Sequence, residues 1–291
     1  MKETAILINV KDRPTELALL LQSLRTQTYQ NFDVFILDDR SGTPLMSYHF
    51  VMCYVNRMKM ENHKIFMKTT EFPHGVSKAR QAIVDWARET DDYKYLCRVD
   101  DDVVLESNYL ERLKNVIEKG YDLASGVTVP MMMPVIKRDP DKIGKYVNRV
   151  ILDDDGNYIM NGDDCGNEFL RSKIIPAHHF RSCALYKSEI HDKANYLPTK
   201  LSMHGFREEE FFSFKILMAG FKIGVDTQAI NYHQLTPTGG ERPTSHLTGF
   251  NQEMLEEFTK EHKDKLNELF TREEYPSALQ LKKENNLVTV K

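Results

Sequence analysis

Three consecutive aspartates, Asp100 to Asp102, interrupt an apolar run in the segment CRVDDDVVLE. Neighbouring carboxylates repel one another and resist burial, so a cation or hydrogen-bond donors must compensate them. Side chains alternate in an extended segment, which predicts that Asp100 and Asp102 point to one side while Asp101 points away. Two carboxylates placed in this way suit Mg²⁺ or Mn²⁺ that also binds phosphate oxygens. The alternative is a solvated turn whose acids cap a helix beginning near Ser107.

Polar residues also follow the two earlier apolar runs. Asn9, Lys11 and Asp12 come after the first run, and Asp38 and Asp39 come after the second. Ligands of an open parallel sheet bind beyond the carboxyl ends of its strands, so these side chains should share one rim with the three aspartates. The sequence Asp-Asp-Arg-Ser-Gly is also good turn chemistry, and a plain turn is therefore the alternative for Asp38 and Asp39.

A second acidic group, Glu208 to Glu210, opens a predicted helix in the segment EEEFFSFKILMAG. The helix dipole stabilises each carboxylate at such a position by roughly 0.3 to 1 kcal/mol, so the triplet needs no catalytic role to be present. The local sequence by itself therefore leaves the purpose of these three residues open.

Short apolar runs and helical patterns alternate along the first 128 residues, and these elements must position the polar groups. The alternation predicts βαβ units in a largely parallel sheet. The predicted strands are residues 4–10, 33–37, 63–68, 93–99 and 123–129. Pro14 near the start of the first helix and Ser77 at the N-cap of a later one support the helices between these strands.

The second half of the chain is less regular. The segment VNRVILDDDGNYIMN predicts a hairpin that turns on Asp-Gly, and FRSCALY at residues 180–186 predicts a strand. The helix that begins with the glutamates ends at Gly220, and a further strand follows it. Residues 251–270 have the pattern of one amphipathic terminal helix.

The composition bears on compartment and partners. The net charge is −4 with both signs interspersed, so no global basic field indicates a nucleic acid or an anionic membrane as partner. The four cysteines, Cys53, Cys97, Cys165 and Cys183, form no CxxC pair, which predicts reduced thiols. No apolar stretch approaches the ~18 residues that span a bilayer. The segment MKETAILINV leads almost at once into a predicted strand, so we expect no signal-peptide core there. We expect a cytoplasmic protein, and peripheral membrane contact stays open.

Five segments in order resemble the family 2 glycosyltransferases. They are ILINVKDRP, VFILDDRSGT, HGVSKARQAIVDWA, YLCRVDDDVVLE and REEEFFSFKILMAGFKI, and together they extend over residues 4–233. That family has the GT-A fold, binds a nucleotide-sugar donor and carries an acidic D-x-D motif. The resemblance implies an α/β chain of GT-A type, with a Rossmann-like, mostly parallel central sheet flanked by helices, a smaller acceptor-side region and a C-terminal helix.

The same resemblance implies an organisation of the chain. Residues 1–128 would form the nucleotide-sugar-binding half. Residues 129–250 would form the acceptor-binding and catalytic half of the same GT-A domain, and residues 251–291 a C-terminal helical extension.

Site residues can be carried over from the resemblance. The implied donor-binding residues are Asn9, Asp12, Asp38, Asp39, Arg80, Asp100 and Asp101. The implied ligands of Mn²⁺ or Mg²⁺ are Asp100, Asp102 and His233, with Asp102 in direct contact and Asp101 of least importance to the metal. The alternative for Arg80 is a solvated residue in the first turn of a helix, and the alternative for His233 is a structural histidine.

The resemblance also implies a general base in the acidic triplet. In the family an acidic pair opens this helix about a dozen residues before a glycine, and its second member is the base. Counting back from Gly220 favours Glu209, with Glu208 and Glu210 as register alternatives. A glutamate replaces the aspartate common in the family, which lengthens the reach by one methylene group. His204, just before this helix, is a further candidate for contact with acceptor or donor.

A loop rich in threonine, glycine and proline, TPTGGERPTSH, covers residues 236–246 and includes Arg242 and His246. Such a segment can close over a bound diphosphate and exclude water, as lids do. A merely flexible connector is the alternative.

We therefore expect a metal-dependent, inverting glycosyltransferase that moves a sugar from a nucleoside-diphosphate sugar, with a UDP-sugar favoured, to an acceptor hydroxyl. The acceptor stays open among glycans, lipid-linked glycans, proteins and modified nucleic-acid bases. One alternative is a sugar-phosphate nucleotidyltransferase, which normally has a glycine-rich loop after the first strand, whereas NVKDRPTEL contains no glycine. The other is a non-catalytic nucleotide-sugar-binding protein, against which the intact acidic triplet argues.

Overall fold

The structure is a computed structural model of the 291-residue chain, and it describes residues 2–132, 150–152, 155, 158–160, 174–196, 203–240 and 245–272. The strands are β1 (Thr4–Val10), β2 (Phe32–Asp38), β3 (Ile65–Thr69), β4 (Tyr95–Asp100), β5 (Val103–Leu105), β6 (Leu123–Pro130), β7 (Val150–Leu152), β8 (Tyr158–Met160), β9 (Ile174–Ala177), β10 (Ala184–Lys187) and β11 (Ile223–His233). The helices are α1 (Pro14–Arg25), α2 (His49–Met60), α3 (Val76–Thr90), α4 (Tyr109–Glu118), α5 (Glu208–Met218), α6 (Ser245–Glu261) and α7 (Lys263–Phe270).

The central sheet combines a parallel half with a mixed half. β1 pairs parallel with β2 and β4, and β2 pairs parallel with β3. β10 lies antiparallel between β4 and β6, and β11 runs parallel to β6. The order is β3-β2-β1-β4-β10-β6-β11-β5, with β9 also paired to β11. The predicted strands of the first 128 residues are confirmed, since they correspond to β1, β2, β3, β4 and β6.

Apolar helix stripes cover both faces of this sheet. On one face α3, α5 and α7 contribute buried side chains such as Ile83 and Phe212. On the other face α1, α2 and α4 contribute Leu20 and Val55, which are fully buried. A sheet that is covered on both faces remains accessible to a ligand at the carboxyl ends of its strands.

Three expectations for the second half can be compared with the structure. The predicted hairpin is confirmed, because β7 and β8 pair antiparallel. The strand predicted at 180–186 begins only at Ala184, since the chain turns at Ser182, whose φ is +59°. The single terminal helix predicted over 251–270 is wrong, because α6 ends at Glu261 and α7 starts at Lys263. Among the described residues, no helix has the length and apolar character needed to cross a bilayer.

Gly126 in β6 lies where the pairing of β11 shifts register between Val225 and Ile230. A Cβ atom at Gly126 would lie 2.1 Å from the carbonyl oxygen of Ala229 and 2.7 Å from a ring carbon of Tyr109. Gly126→Ala is therefore expected to lower the free energy of unfolding by about 1 to 3 kcal/mol or more, because overpacking forces the backbone to move. Urea unfolding measures this change.

Gly249 in α6 provides the control for that substitution. A Cβ atom there would meet no atom within 4 Å. Since alanine is a better helix former than glycine by about 1 kcal/mol, Gly249→Ala should be neutral or stabilising. Equal destabilisation by the two substitutions would contradict the steric argument.

Candidate active site

A cavity of about 430 Å³ opens where the carboxyl ends of β1, β4 and β11 meet the starts of α3 and α5. The predicted site residues that line it are Asn9, Asp39, Arg80, Asp100, Asp101, Asp102, His204, Glu208, Glu209 and His233. The other polar side chains of the lining are Lys11, Arg13, Arg98, Arg207 and Thr236. Parallel strands end at the same edge of a sheet, which is why residues distant in sequence meet here.

Two predicted donor-binding residues, Asp12 and Asp38, lie outside this lining. The carboxylate of Asp38 accepts hydrogen bonds from the amides of Ser41 at 2.9 Å and Leu45 at 3.3 Å. The carboxylate of Asp12 accepts one from the amide of Gly42 at 2.7 Å. The expectation that these two residues contact a donor is therefore not supported, because both carboxylates stabilise the turn after β2.

Asp39 lines the cavity and also fixes the start of α3. Its two oxygens accept hydrogen bonds from the amides of His74 at 2.8 Å and Gly75 at 3.0 Å. Gly75 has φ of +75°, and a Cβ there would lie 2.7 Å from Cα of Met203. Only glycine allows this approach, which brings the segment containing His204 to the cavity wall.

Asn9 at the end of β1 contributes an unsatisfied amide. Both polar atoms of its side chain are buried and have no hydrogen-bond partner among the described residues. Buried amides are normally hydrogen-bonded, so this side chain is suited to receive a polar ligand.

The three aspartates do not alternate as an extended segment would. β4 ends at Asp100, and residues 101–102 form a turn. One nitrogen of Arg13, Nη1, lies 2.7 Å from Asp101 and 3.0 Å from Asp102. The prediction that Asp101 points away from Asp102 is wrong, because the turn directs both carboxylates to the same cation.

Negative charge around this turn is only partly compensated. Burial raises the pKa of Asp101 to about 7, the neighbouring Asp102 acts in the same direction, and Arg13 opposes both. Burial also raises the pKa of Asp102, with His233 opposing it. Further positive charge at this position would stabilise both carboxylates in their ionised form.

His233 at the end of β11 is the closest imidazole to these acids. Its Nε2 atom lies 3.4 Å from Oδ1 of Asp102, and its Nδ1 atom accepts a hydrogen bond from the amide of Leu235 at 3.0 Å. Among the described residues, no three acidic, histidine or cysteine side chains are grouped so as to hold a metal ion by themselves.

The residues present nevertheless suit Mn²⁺ or Mg²⁺ when a ligand supplies further oxygens. A buried carboxylate with incomplete compensation, beside an imidazole, is a donor set that Mn²⁺ accepts. In the observed hydrogen-bonding pattern the ring proton of His233 is on Nε2, since Nδ1 accepts from Leu235. Coordination through Nε2 would therefore require the Leu235 hydrogen bond to open.

Arg80 is not a solvated residue, because its side chain is only 11% exposed. It lies 2.6 Å from Asp100 and 3.0 Å from Glu208. Although burial acts in the opposite direction, Arg80 and Arg98 together hold the pKa of Asp100 well below its usual range. Asp100 is thus ionised, and it forms an ion pair with Arg80 on the side of the cavity formed by α3.

Arg98 is a site residue that the sequence interpretation missed. It lies inside β4 with a side chain 3% exposed, and its Nη2 atom is 2.7 Å from Glu208 and 2.8 Å from Glu209. An arginine within the apolar run YLCRV was the available signal, since arginine is rarely buried without partners. Arg13 offered no such signal, because it stands in a polar loop.

The three glutamates of the acidic triplet differ in the direction of their side chains. Glu208 is buried against Arg80 and Arg98. Glu210 lies outside the cavity lining and pairs with Arg207 at 3.0 Å. Glu209 lines the cavity with a side chain 26% exposed. The register alternative Glu210 is therefore excluded from the cavity wall, because successive residues of a helix point about 100° apart.

Burial and local charges set the protonation of Glu209. Its Oε1 atom accepts hydrogen bonds from Nη2 of Arg98 and from the amide of Ser182, each at 2.8 Å. Burial raises its pKa above the usual value, and Arg98 opposes that effect. A carboxylate with a raised pKa at the wall of a cavity is suited to accept a proton.

The described part of the loop predicted to act as a lid is hydrogen-bonded to the segment after β1. The Nε atom of Arg13 donates to the carbonyl of Thr238 at 3.3 Å, and the amide of Gly240 donates to the carbonyl of Lys11 at 2.8 Å. Arg242 lies outside the described residues. His246 belongs to α6, and its side chain is likewise outside them.

Comparison with known proteins identifies a sequence family and solved structures that are similar to this chain. The sequence model of glycosyl transferase family 2 matches residues 5–175. No curated protein sequence matches the chain significantly. The crystal structure of S. aureus TarS 1-349 in complex with UDP-GlcNAc has a TM-score of 0.58 at 13% identity, over 91% of this chain and 70% of that one. GalNAc-T7 with UDP, GalNAc and Mn²⁺ has a TM-score of 0.64 at 14% identity.

These solved proteins share the fold and differ in length. The match to GalNAc-T7 covers 98% of this chain and 55% of that chain. The match to a longer TarS structure has a TM-score of 0.53 at 12% identity and covers 81% of this chain and 37% of that chain. This chain thus spans well under two thirds of either protein. The family match and the shared GT-A fold agree: the chain belongs to glycosyl transferase family 2.

Proposed function

We propose that this protein transfers a sugar from a nucleoside-diphosphate sugar, preferably a UDP-sugar, to an acceptor hydroxyl, with inversion and with Mn²⁺ or Mg²⁺. The observation that carries the proposal is that Glu209, Asp102 and His233 line the same cavity. A TarS structure that holds UDP-GlcNAc and a GalNAc-T7 structure that holds UDP, GalNAc and Mn²⁺ support the donor class and the metal.

The donor would bind along the ends of β1, β2 and β4. Asp39 and the unsatisfied amide of Asn9 offer polar contacts to the nucleoside, and Arg80 and Asp100 lie next to them in the lining. Asp102 and His233 would hold the divalent cation, which stabilises the negative charge of a departing diphosphate. We place Asp100 on the ribose side, because Arg80 engages its carboxylate.

Glu209 would act as the general base. An acceptor hydroxyl attacks the anomeric carbon, its oxygen forms the new glycosidic bond, and Glu209 takes its proton. The bond from the anomeric carbon to the diphosphate oxygen breaks with its electron pair on the diphosphate. A single base on the face opposite the leaving group gives in-line displacement, and therefore inversion.

We also propose the division of the chain into a donor half at 1–128, an acceptor and catalytic half at 129–250, and a C-terminal extension at 251–291. The described part of this extension packs on the catalytic half. The ring of Phe270 lies 5.3 Å from that of Phe214, and the ring of Phe258 lies 5.0 Å from that of Phe211. The extension would thus support α5, which carries the proposed base.

A screen of nucleotide sugars tests the proposed function. With Mn²⁺ present, one of the common nucleotide sugars should raise the unfolding temperature and be slowly hydrolysed to its nucleoside diphosphate. A protein that binds none of them in the presence of either cation would overturn the proposal. Pyrophosphate release from a nucleoside triphosphate and a sugar phosphate would indicate a nucleotidyltransferase, and donor binding without hydrolysis or transfer would indicate a binding protein.

A further inference from the structure

Arg98 lies on a defined face of β4. The buried neighbours Cys97 and Val99 pack with α1, α2 and α4, whereas Leu96 packs with α3 and α5. Since side chains alternate along a strand, Arg98 shares the face of Leu96 and Asp100. An apolar residue would continue the packing of this face, so the arginine introduces a charge where the fold alone does not require one.

One nitrogen atom of Arg98 lies close to three of the acidic groups that line the cavity. Nη2 lies 2.7 Å from Glu208, 2.8 Å from Glu209 and 3.6 Å from Asp100. The two glutamates come from the start of α5, and Asp100 is the end of β4. Arg98 therefore connects the strand that carries the aspartates with the helix that carries the proposed base.

The remaining nitrogens of Arg98 are poorly satisfied. Nε and Nη1 are buried and have no hydrogen-bond partner among the described residues. The guanidinium carbon lies 5.2 Å from the ring centre of Phe180 and 5.8 Å from that of Tyr196. A cation kept only for stability would be expected to use all its donors, since buried donors without partners destabilise a fold.

The hydrogen bonds of Glu209 are unequal between its two oxygens. Oε1 accepts from Nη2 of Arg98 and from the amide of Ser182, whereas Oε2 has no hydrogen-bond partner among the described residues. Two donors on one oxygen fix the rotation of the carboxyl group. The other oxygen is left without a donor from the described residues, on a side chain that lines the cavity and is 26% exposed.

We propose that Arg98 is a positioning residue for the transfer reaction, which holds Glu209 through Oε1 so that Oε2 meets the acceptor hydroxyl. This inference rests on the proposed function, in which Glu209 is the base. Arg98 does not touch the acceptor in this assignment. It acts through Glu209, and its contact with Asp100 fixes the position of the base relative to the donor side of the cavity.

Two substitutions of Arg98 test the inference in the full-length protein. Arg98→Lys keeps the charge but not the planar donor group, and Arg98→Gln removes the charge. We expect kcat to fall by about 10 to 100-fold in Arg98→Gln, the loss expected for one hydrogen bond between charged groups. Arg98→Lys should recover part of kcat. The affinity for UDP with Mn²⁺, measured by calorimetry, should stay within about threefold in Arg98→Lys.

Arg112 is the matched control. It pairs at 3.2 Å with Asp226, whose side chain is 2% exposed, and it lies outside the cavity lining. Arg112→Gln should lower the unfolding temperature without lowering kcat, which separates lost stability from lost positioning.

Each outcome decides for or against the inference. A wild-type protein that transfers sugar while both folded Arg98 variants keep full kcat would overturn the role of Arg98 and leave the proposed function intact. A loss of kcat in Arg112→Gln as large as that in Arg98→Gln would assign Arg98 to stability alone and overturn the inference. A lysine variant that does not fold would have the same meaning. A wild-type protein without donor binding would instead reject the proposed function.

Discussion

Replacement of Glu209 by glutamine is expected to lower the rate of sugar transfer by about 10² to 10⁴-fold, the range that a positioned general base contributes. Glutamine has nearly the same shape and can still accept the hydrogen bonds from Arg98 and Ser182 through its amide oxygen. It cannot take a proton from the acceptor. Donor affinity, measured by calorimetry with UDP and Mn²⁺, should therefore change by no more than a few-fold.

Glu210→Gln is the control for this substitution. The two residues are adjacent in α5, but Glu210 pairs with Arg207 and lies outside the cavity lining. Its replacement should leave the transfer rate within a few-fold of wild type. A large loss in Glu210→Gln together with a small loss in Glu209→Gln would place the base one residue later in the helix.

The pH dependence of transfer follows from the environment of Glu209. A general base works when it is deprotonated, so the rate is high above its pKa and falls as the pH is lowered through it. Burial raises the pKa of Glu209 above the usual glutamate value. The acid limb of kcat should accordingly lie at higher pH than for an exposed glutamate, and it should be absent from the residual activity of Glu209→Gln.

Asp102→Asn is expected to remove the response of the protein to Mn²⁺ and to lower transfer by about 10² to 10³-fold. A Lewis-acidic cation contributes several kcal/mol to charge stabilisation on a leaving group, and about 1.4 kcal/mol corresponds to tenfold in rate. Asparagine offers a neutral oxygen that binds a hard cation weakly. The measurement is the shift of the unfolding temperature by UDP with and without Mn²⁺.

Asp12→Asn is the matched control on the same rim. The asparagine oxygen can still accept the hydrogen bond from the amide of Gly42, and residue 12 lies outside the cavity lining. The Mn²⁺ response should persist in this variant. If Asp102→Asn retained the full response, the cation would be held elsewhere. A wild-type protein that transferred sugar equally well in a chelator would remove the metal from the reaction.

The elements of the donor half could be predicted from the sequence because their causes are local. An apolar, β-branched run such as TAILINV can bury both faces only as a strand between helices, and β1 indeed covers Thr4–Val10. The rim was also predictable, because parallel strands place their carboxyl ends together whatever their exact packing. The boundaries near Ser182 and Glu261 were less predictable, since a turn and a helix break depend on distant contacts.

Tertiary structure alone decided which rim residues share the cavity. Asp12 and Asp38 follow strands as Asp39 does, yet the turn after β2 takes their carboxylates as hydrogen-bond acceptors. The glutamates of the triplet are adjacent in sequence, but packing of side chains such as Phe212 and Phe214 sets the rotation of α5. In that rotation Glu208 and Glu209 both line the cavity, but Glu208 is buried and Glu209 is 26% exposed.

The sequence by itself determined the α/β class, the edge that holds the site and the aspartates at the strand ends, because each depends on periodicity and on strand direction. The partners of those acids were decided by docking of elements far apart in the chain. Arg13 reaches Asp101 across 88 residues, and Arg98 reaches Glu209 across 111. Charges pair by distance in space and not by order in sequence, so only the folded chain shows that arginines hold the aspartates after β4 and the first two glutamates of α5.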